Sequence, residues 1–292
     1  MLSRYRPEID GLRAISVFLI IVYHAKISIN GQNILAGGYI GVDIFLVISG
    51  YLITSIILKE SLSEDGFSFS KFYYRRIKRL LPALLFVLII STPFAWLCLL
   101  PRDMLDFTNS LFSTLFFFSN FFFYFEGQQY GASETLLLPL QHMWSLSLEE
   151  QFYLIFPLFL LIIFKLLKDN LEITLFFCLF GSLALAHWES TNLSSSSYYF
   201  LHTRLWELLA GALIAIIELR YSNKTKYLLI QSTAPFFGIL LIILGVILAG
   251  KETQHPSLFT TIPVFGTCLI LLFSNKKNIM TKILSIRVLI WF

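Results

Sequence analysis

Charge is scarce in this sequence. Only 14% of its 292 residues are Asp, Glu, Lys or Arg, where a soluble domain carries about a quarter. Water is therefore excluded as the solvent for most of the chain. Cysteine is also rare: Cys98, Cys178 and Cys268 stand far apart in apolar runs with no C-x-x-C and no nearby histidine. That argues against a zinc site or a disulfide framework, and packing is their expected role; no metal site is expected elsewhere. A basic stripe is missing too. The excess of 22 basic over 18 acidic residues collects in short connections instead of along one helical face, so nucleic acid is not an expected partner. A cleavable leader is not expected, because Arg4, Arg6 and Arg13 stand with Glu8 and Asp10 ahead of an apolar run without an A-x-A site. Repeats and a solvated domain are lacking, and the low-complexity piece Ser194–Ser197 reads as a short surface loop.

What the sequence has is length of apolar run. Hydrophobic residues make up 57% of it, mean hydropathy is +0.74, and the apolar residues come in runs of roughly 17 to 23, enough for a helix to cross about 30 Å of hydrocarbon. The expected fold class is all-α, a polytopic transmembrane helix bundle of about nine spans with a tenth cut short. The windows are Leu12–Lys26, Gly38–Leu58, Leu80–Leu100, Leu105–Phe125, Glu150–Leu167, Ile173–Trp188, Tyr199–Glu218, Leu228–Gly250 and Leu258–Phe273. After the basic loop Asn275–Lys282, Leu284–Phe292 opens another apolar run too short to span.

Lysine and arginine mark cytoplasmic connections, most strongly in Lys59–Arg79, and the N-terminus with Arg4, Arg6 and Arg13 falls on the same side. The later marks, Lys165/Lys168, Arg220/Lys224/Lys226 and Lys276/Lys277/Lys282, join that side only if Leu80–Phe125 crosses an odd number of times. Two windows there break the rule. Either one of them is re-entrant or interfacial, or the charge bias is weak in the later loops. The run Phe116–Phe125 reads as a lipid-facing or packed surface, not a cofactor box.

An ionisable side chain inside a span costs about 2.5–3.5 kcal/mol on insertion scales, so each is a candidate for function. Arg13 and His24 are eleven residues apart; at about 100° per residue they come within roughly 20° of the same helical face, some 16 Å apart along the axis. His24 is either hydrogen-bonded into the bundle or a proton-accepting group. Gly37-Gly-Tyr-Ile-Gly-Val-Asp43 places glycines and an aspartate beside a span; the glycines suit close helix approach, and Asp43 could pair with an arginine or hold His24 in one tautomer. Phe72-Tyr-Tyr-Arg75-Arg76-Ile-Lys78-Arg79 crowds basic groups at a cytoplasmic loop, where they could anchor anionic lipid or bind the phosphates of a nucleotide-bearing donor. His142-Met-Trp144 through Glu149, Glu150 and Tyr153 brings acids to the mouth of a span, and Arg204-Leu-Trp-Glu207 is an i, i+3 pair expected to neutralise itself inside the bundle.

Taken in order, these islands resemble the membrane acyltransferase family 3. Tyr5-Arg-Pro-Glu-Ile-Asp10-Gly-Leu-Arg13 followed by His24 is similar to the family's arginine-x10-histidine motif, Gly41-Val-Asp43 to Ser49-Gly50 to its second-helix signature, and Arg76-x-x-Arg79 to its arginine pair. Trp144-Ser-Leu-Ser-Leu-Glu149 and Arg204-Leu-Trp-Glu207 complete the series. The resemblance implies one membrane acyltransferase domain over residues 1–292, incomplete at its C-terminus, in the inner (plasma) membrane of a bacterium with a cytoplasmic N-terminus. It implies O-acyl transfer, most often acetyl, from acyl-CoA to a hydroxyl of a cell-surface polysaccharide or its lipid-linked precursor. Acetyl-CoA is then a donor substrate, and no tightly bound cofactor is expected. His24 acts as general base, Arg76 and Arg79 with Arg75 hold donor phosphates, Arg13 positions the donor or polarises the site, and Asp43 and Glu149 support the reaction. A transporter for a glycan precursor and an inactive truncated remnant are the competing readings.

Overall fold

Apolar runs of this length can satisfy their backbone in lipid only as helices. The computed structural model describes residues 5–29, 32–128, 138–167, 170–221, 228–250, 253–275 and 278–291. Its elements run α1 (Pro7–His24), a two-residue antiparallel pair β1 (Ser28–Ile29) and β2 (Gln32–Asn33), a 3₁₀ turn Gly38–Ile40, α2 (Gly41–Ser61), α3 (Phe69–Cys98), α4 (Pro101–Leu115), α5 (Ser119–Glu126), α6 (Met143–Leu166) and α7 (Leu171–Asn192). Then come α8 (Ser194–Tyr199), α9 (Leu201–Tyr221), α10 (Leu228–Leu248), α11 (Thr261–Phe273), α12 (Ile279–Leu284) and α13 (Arg287–Trp291). The protein is an all-α membrane bundle. Among the described residues α2 with its preceding turn, α3, α6 and α7 are long and apolar enough to cross a membrane, while Thr233–Leu248 and Leu258–Phe273 are shorter apolar helices. The windows at α1 and α9 are also helical, but their charges keep them out of that set.

The chain forms two compact units: Met1–Ser55, Leu161–Tyr198 and His202–Phe292 in the first, Ile56–Leu160 with Tyr199–Leu201 in the second. The first unit is held by backbone-to-backbone approaches that only glycine permits. A Cβ on Gly50 of α2 would lie 1.9 Å from the Leu208 carbonyl oxygen of α9, and one on Gly211 of α9 would lie 1.9 Å from the Val47 carbonyl oxygen of α2. Gly11 of α1 meets the Leu284 carbonyl in the same way, and Gly238 of α10 meets Gly266 of α11. Near the start of α1, Arg6 donates to Tyr51 Oη at 2.6 Å and to the Leu271 carbonyl at 2.7 Å, while Tyr51 donates to Glu218. One arginine thus ties α1, α2, α9 and α11.

In the second unit, α3 exposes a long apolar flank that includes Phe86, Ile89, Phe94 and Trp96. Here several expectations need correcting. The basic loop Lys59–Arg79 shrinks to the short connection between α2 and α3, and Arg75, Arg76, Lys78 and Arg79 lie on the early turns of α3. Ser68 caps that helix by accepting from the Lys71 amide, and long basic side chains can extend a helix past the apolar layer because their heads reach water. The window Leu105–Phe125 is not one helix but α4 and α5, broken at Phe117 with φ 56°. The break is stable because Gln151 of α6 donates to the Phe117 carbonyl at 2.8 Å and to Asn120 Oδ1 at 2.9 Å, and Ser119 and Ser147 pair at 2.7 Å. Only the first of those two windows therefore lies in a helix of full spanning length. The phenylalanines around the break mostly face outward, Phe116, Phe118 and Phe125 being exposed and Phe123 buried.

Ser194–Ser197 is not a surface loop. It begins α8, with Ser196 and Ser197 buried, because Ser196 finds the Glu189 carboxylate at 2.9 Å. Cys98 is exposed, unlike the packing role expected of it, whereas Cys178 and Cys268 are partly covered. The run from Leu284 divides between α12 and α13, and Leu284 is buried against Gly11. Arg4, Lys168, Lys224, Lys226, Lys276, Lys277 and Phe292 lie outside the described residues.

Candidate active site

The helix α1 is unbroken from Pro7 to His24, so the Arg13–His24 register holds. Pro7 starts it at the position where a missing N–H costs nothing, and Glu8 and Asp10 in its first turn with His24 in its last suit the helix dipole. Arg13 is half-buried, its guanidinium 5.5 Å from the Phe45 ring centroid of α2. His24 is exposed at the helix end, where its ring meets Tyr23 edge-on at 5.3 Å.

Asp43 has no solvent exposure, and its carboxylate is answered from two elements. Arg204 of α9 donates to Oδ1 at 2.6 Å, and His255, in the connection between α10 and α11, reaches Oδ2 at 2.9 Å. The same arginine donates to Glu207 at 3.1 Å and to the Tyr198 carbonyl at 3.3 Å, and it lies over the Tyr198 ring. Its Nη2 stands 3.1 Å from His255 Nδ1. A guanidinium can only donate, so Nδ1 must accept, and the ring proton sits on Nε2, facing Asp43. His255 is thereby fixed as the neutral Nε2–H tautomer. Burial pushes its pKa below the ordinary histidine range, Asp43 opposes that shift and Arg204 adds to it. The expected self-neutralising Arg204–Glu207 pair is thus part of a larger group of four.

The second unit holds the arginine cluster. Arg76 is half-buried with its guanidinium 4.5 Å from the Tyr153 ring centroid of α6 and 5.9 Å from that of Phe72. Stacking of this kind leaves the planar fork free to bind anions. Arg75 is exposed and paired with Glu60, and Arg79 is exposed one turn on. Glu149 is buried in α6. The structure therefore brings Asp43 to Arg204 and Arg76 to Tyr153. Arg13, His24 and Asp43 belong to the first unit, and Arg75, Arg76, Arg79 and Glu149 to the second.

With this geometry in place, comparison with known proteins decides the family: the acyltransferase domain matches residues 6–290. The chain belongs to acyltransferase family 3. Among its relatives, YrhL of Bacillus subtilis (strain 168), provisionally named a peptidoglycan O-acetyltransferase, is 34% identical over 304 residues, covering 99% of this chain and 46% of YrhL. The peptidoglycan O-acetyltransferase OatA of Listeria monocytogenes is 32% identical over 301 residues, 99% of this chain and 47% of OatA. The O-acetyltransferase OatA of Staphylococcus aureus (strain NCTC 8325) is 38% identical over 218 residues, 73% of this chain and 35% of that protein. This family member spans about half the length of the first two relatives. No solved structure matches it.

Sequence reasoning missed His255 and gave no role to Tyr39 and Tyr23, whose rings lie between it and His24. Each is a single residue without repeat or spacing, and His255 is 212 residues from the aspartate it contacts. The one available signal was chemical: an imidazole between two apolar runs, close to a proline.

Proposed function

We propose that this family member is the membrane part of an O-acyltransferase that moves an acetyl group from acyl-CoA to a hydroxyl of a cell-wall glycan, peptidoglycan or a lipid-linked precursor of it. It works in a bacterial plasma membrane with its N-terminus in the cytoplasm. What carries the reading is the acyltransferase match across residues 6–290; the names of the relatives support the acetyl group and the glycan.

The geometry supports a division of labour. His24, exposed at the end of α1, accepts the proton of the acceptor hydroxyl as its oxygen attacks the thioester carbonyl. A carbon–oxygen bond forms, the carbon–sulfur bond breaks, and the proton passes from the imidazolium to the departing coenzyme A thiolate. Arg76 and Arg79, one turn apart on α3, hold donor phosphates, with Arg75 partly neutralised by Glu60. Arg13 positions the donor or polarises its carbonyl. Asp43 acts on the site from within the buried group, and Glu149 from within α6.

The test is acetyl-CoA hydrolysis or transfer by membranes containing the chain, beside His24→Ala and the double variant Arg76→Ala/Arg79→Ala at matched expression. His24→Ala should lower turnover by about 10²–10⁴-fold, and the arginine variant should raise the donor KM with a smaller change in kcat. A base must be neutral to take a proton, so the rate should rise with pH and level off once the imidazole is deprotonated. A rate flat between about pH 5 and 8 would remove the general-base role. A well-inserted parent without turnover would put the transporter reading ahead.

A further inference from the structure

A continuous line of rings runs from the buried charges to the end of α1. His255 meets Tyr39 with ring centroids 4.6 Å apart and planes at 72°, Tyr39 meets Tyr23 at 5.6 Å and 75°, and Tyr23 meets His24 at 5.3 Å and 79°. All three are edge-to-face contacts, the arrangement that aromatic quadrupoles favour. The far end of the line is anchored: His255 is buried, with Nε2 on Asp43 and Nδ1 on Arg204, so its ring is held from two sides before it touches Tyr39. The middle is anchored as well. A Cβ on Gly38 would come within 2.4 Å of the Leu19 carbonyl oxygen and 2.8 Å of Tyr23 Cβ, so the turn carrying Tyr39 presses directly on the last turns of α1. His24 is the one exposed member of the line, at the end of α1, and holding its side chain in one rotamer costs conformational entropy.

We propose that His255 is a positioning residue for His24: held by Asp43 and Arg204, it fixes Tyr39, Tyr39 fixes Tyr23, and Tyr23 presents the His24 imidazole in one orientation. The role given to that imidazole rests on the acyltransferase reading; the positioning itself does not. The buried four-residue group is then the fixed reference against which the candidate base is aimed. It also explains why the α10–α11 connection carries a histidine, since only a ring with one donor and one acceptor nitrogen can satisfy Asp43 and Arg204 together and still offer an aromatic contact.

The experiment uses the full chain in detergent and reads the rate at which diethyl pyrocarbonate modifies His24, resolved by site with mass spectrometry between pH 5 and 8. His255→Gln and Tyr39→Leu should each raise the His24 modification rate several-fold, and the double variant should go no further than either alone. Tyr39→Phe, which keeps the ring, should match the parent. In turnover assays the two disruptive variants should lower kcat and leave the donor KM unchanged. Tyr39→Leu leaves the hydrogen bonds of His255 to Asp43 and Arg204 in place, so it decides the matter even if His255→Gln does not fold. A His24 rate equal to the parent's in Tyr39→Leu, or additive effects in the double variant, would overturn the proposal. A parent that shows this labelling pattern without consuming acetyl-CoA would sink the acyltransferase reading alone.

Discussion

Arg204 and Arg75 each hold a carboxylate, Asp43 at 2.6 Å and Glu60 at 2.5 Å, yet the first arginine side chain is 0% exposed and the second 49%. The difference teaches what each contact is for. In a medium without water, Arg204 has to be surrounded, and Asp43, Glu207, His255 and Tyr198 accept from four of its five N–H groups. Arg75 keeps access to solvent and salt, so its contact with Glu60 is weak and exchangeable, as the donor-phosphate role proposed for it requires. Arg76, stacked on Tyr153, lies between these extremes. The buried cluster is closed to solvent, whereas Arg75 and Arg79 of α3 remain open to it.

Five variants, one of them a control, would break or sharpen that contrast. Arg204→Leu has the largest expected effect, because it leaves the Asp43 and Glu207 carboxyls buried without their cation; about 3–5 kcal/mol of stability should be lost, read by thermal denaturation in detergent. A loss below about 1 kcal/mol would mean the cluster is hydrated and the contrast is false. Next comes the frame that holds the cluster. Gly50→Val places a side chain where a Cβ would already lie 1.9 Å from a carbonyl oxygen, and should cost about 1–3 kcal/mol as the helices move apart. Gly181→Ala, with nothing within 4 Å of the new Cβ, is the control and should be neutral or slightly stabilising.

Arg76→Ala removes the stacked guanidinium and should cost only about 0.5–1 kcal/mol of stability, while raising the donor KM in the turnover assay. Equal effects on KM and on melting temperature would assign Arg76 a structural role instead. Apart from the Gly181→Ala control, the smallest effect belongs to Glu60→Gln, which should change stability by less than about 1 kcal/mol, and by still less at high salt. If it also lowers the donor KM, by freeing Arg75, the α3 arginines act together on the same anion.

Much of this was legible in the sequence. Helical windows at α1, α2, α6, α7, α9, α10 and α11 follow from apolar run length, because a membrane leaves the backbone few alternatives. The Arg13–His24 register follows from helical periodicity alone, and the structure keeps α1 unbroken through it. What failed to read has a common cause. Phe117 takes a positive φ without being glycine, and that break is held by side chains distant in the chain, Gln151 on its carbonyl 34 residues later and Ser147 on Ser119. The serines of α8 look like a surface loop until Glu189 is found beside Ser196. Asp43 could have met any arginine in the chain, and its second partner is a histidine that no spacing marks.

By itself the sequence determined the solvent, the all-helical class, the family motifs and the placement of Arg13 and His24 on one helix, because these depend on run length, composition and local periodicity. The pairing of Asp43 with Arg204 and His255, and the ring contacts from there to His24, were decided only by the tertiary structure. Those partners meet because glycines at Gly38, Gly50 and Gly211 let backbones touch, and which surfaces then face each other depends on the packing of the whole first unit, not on any one segment.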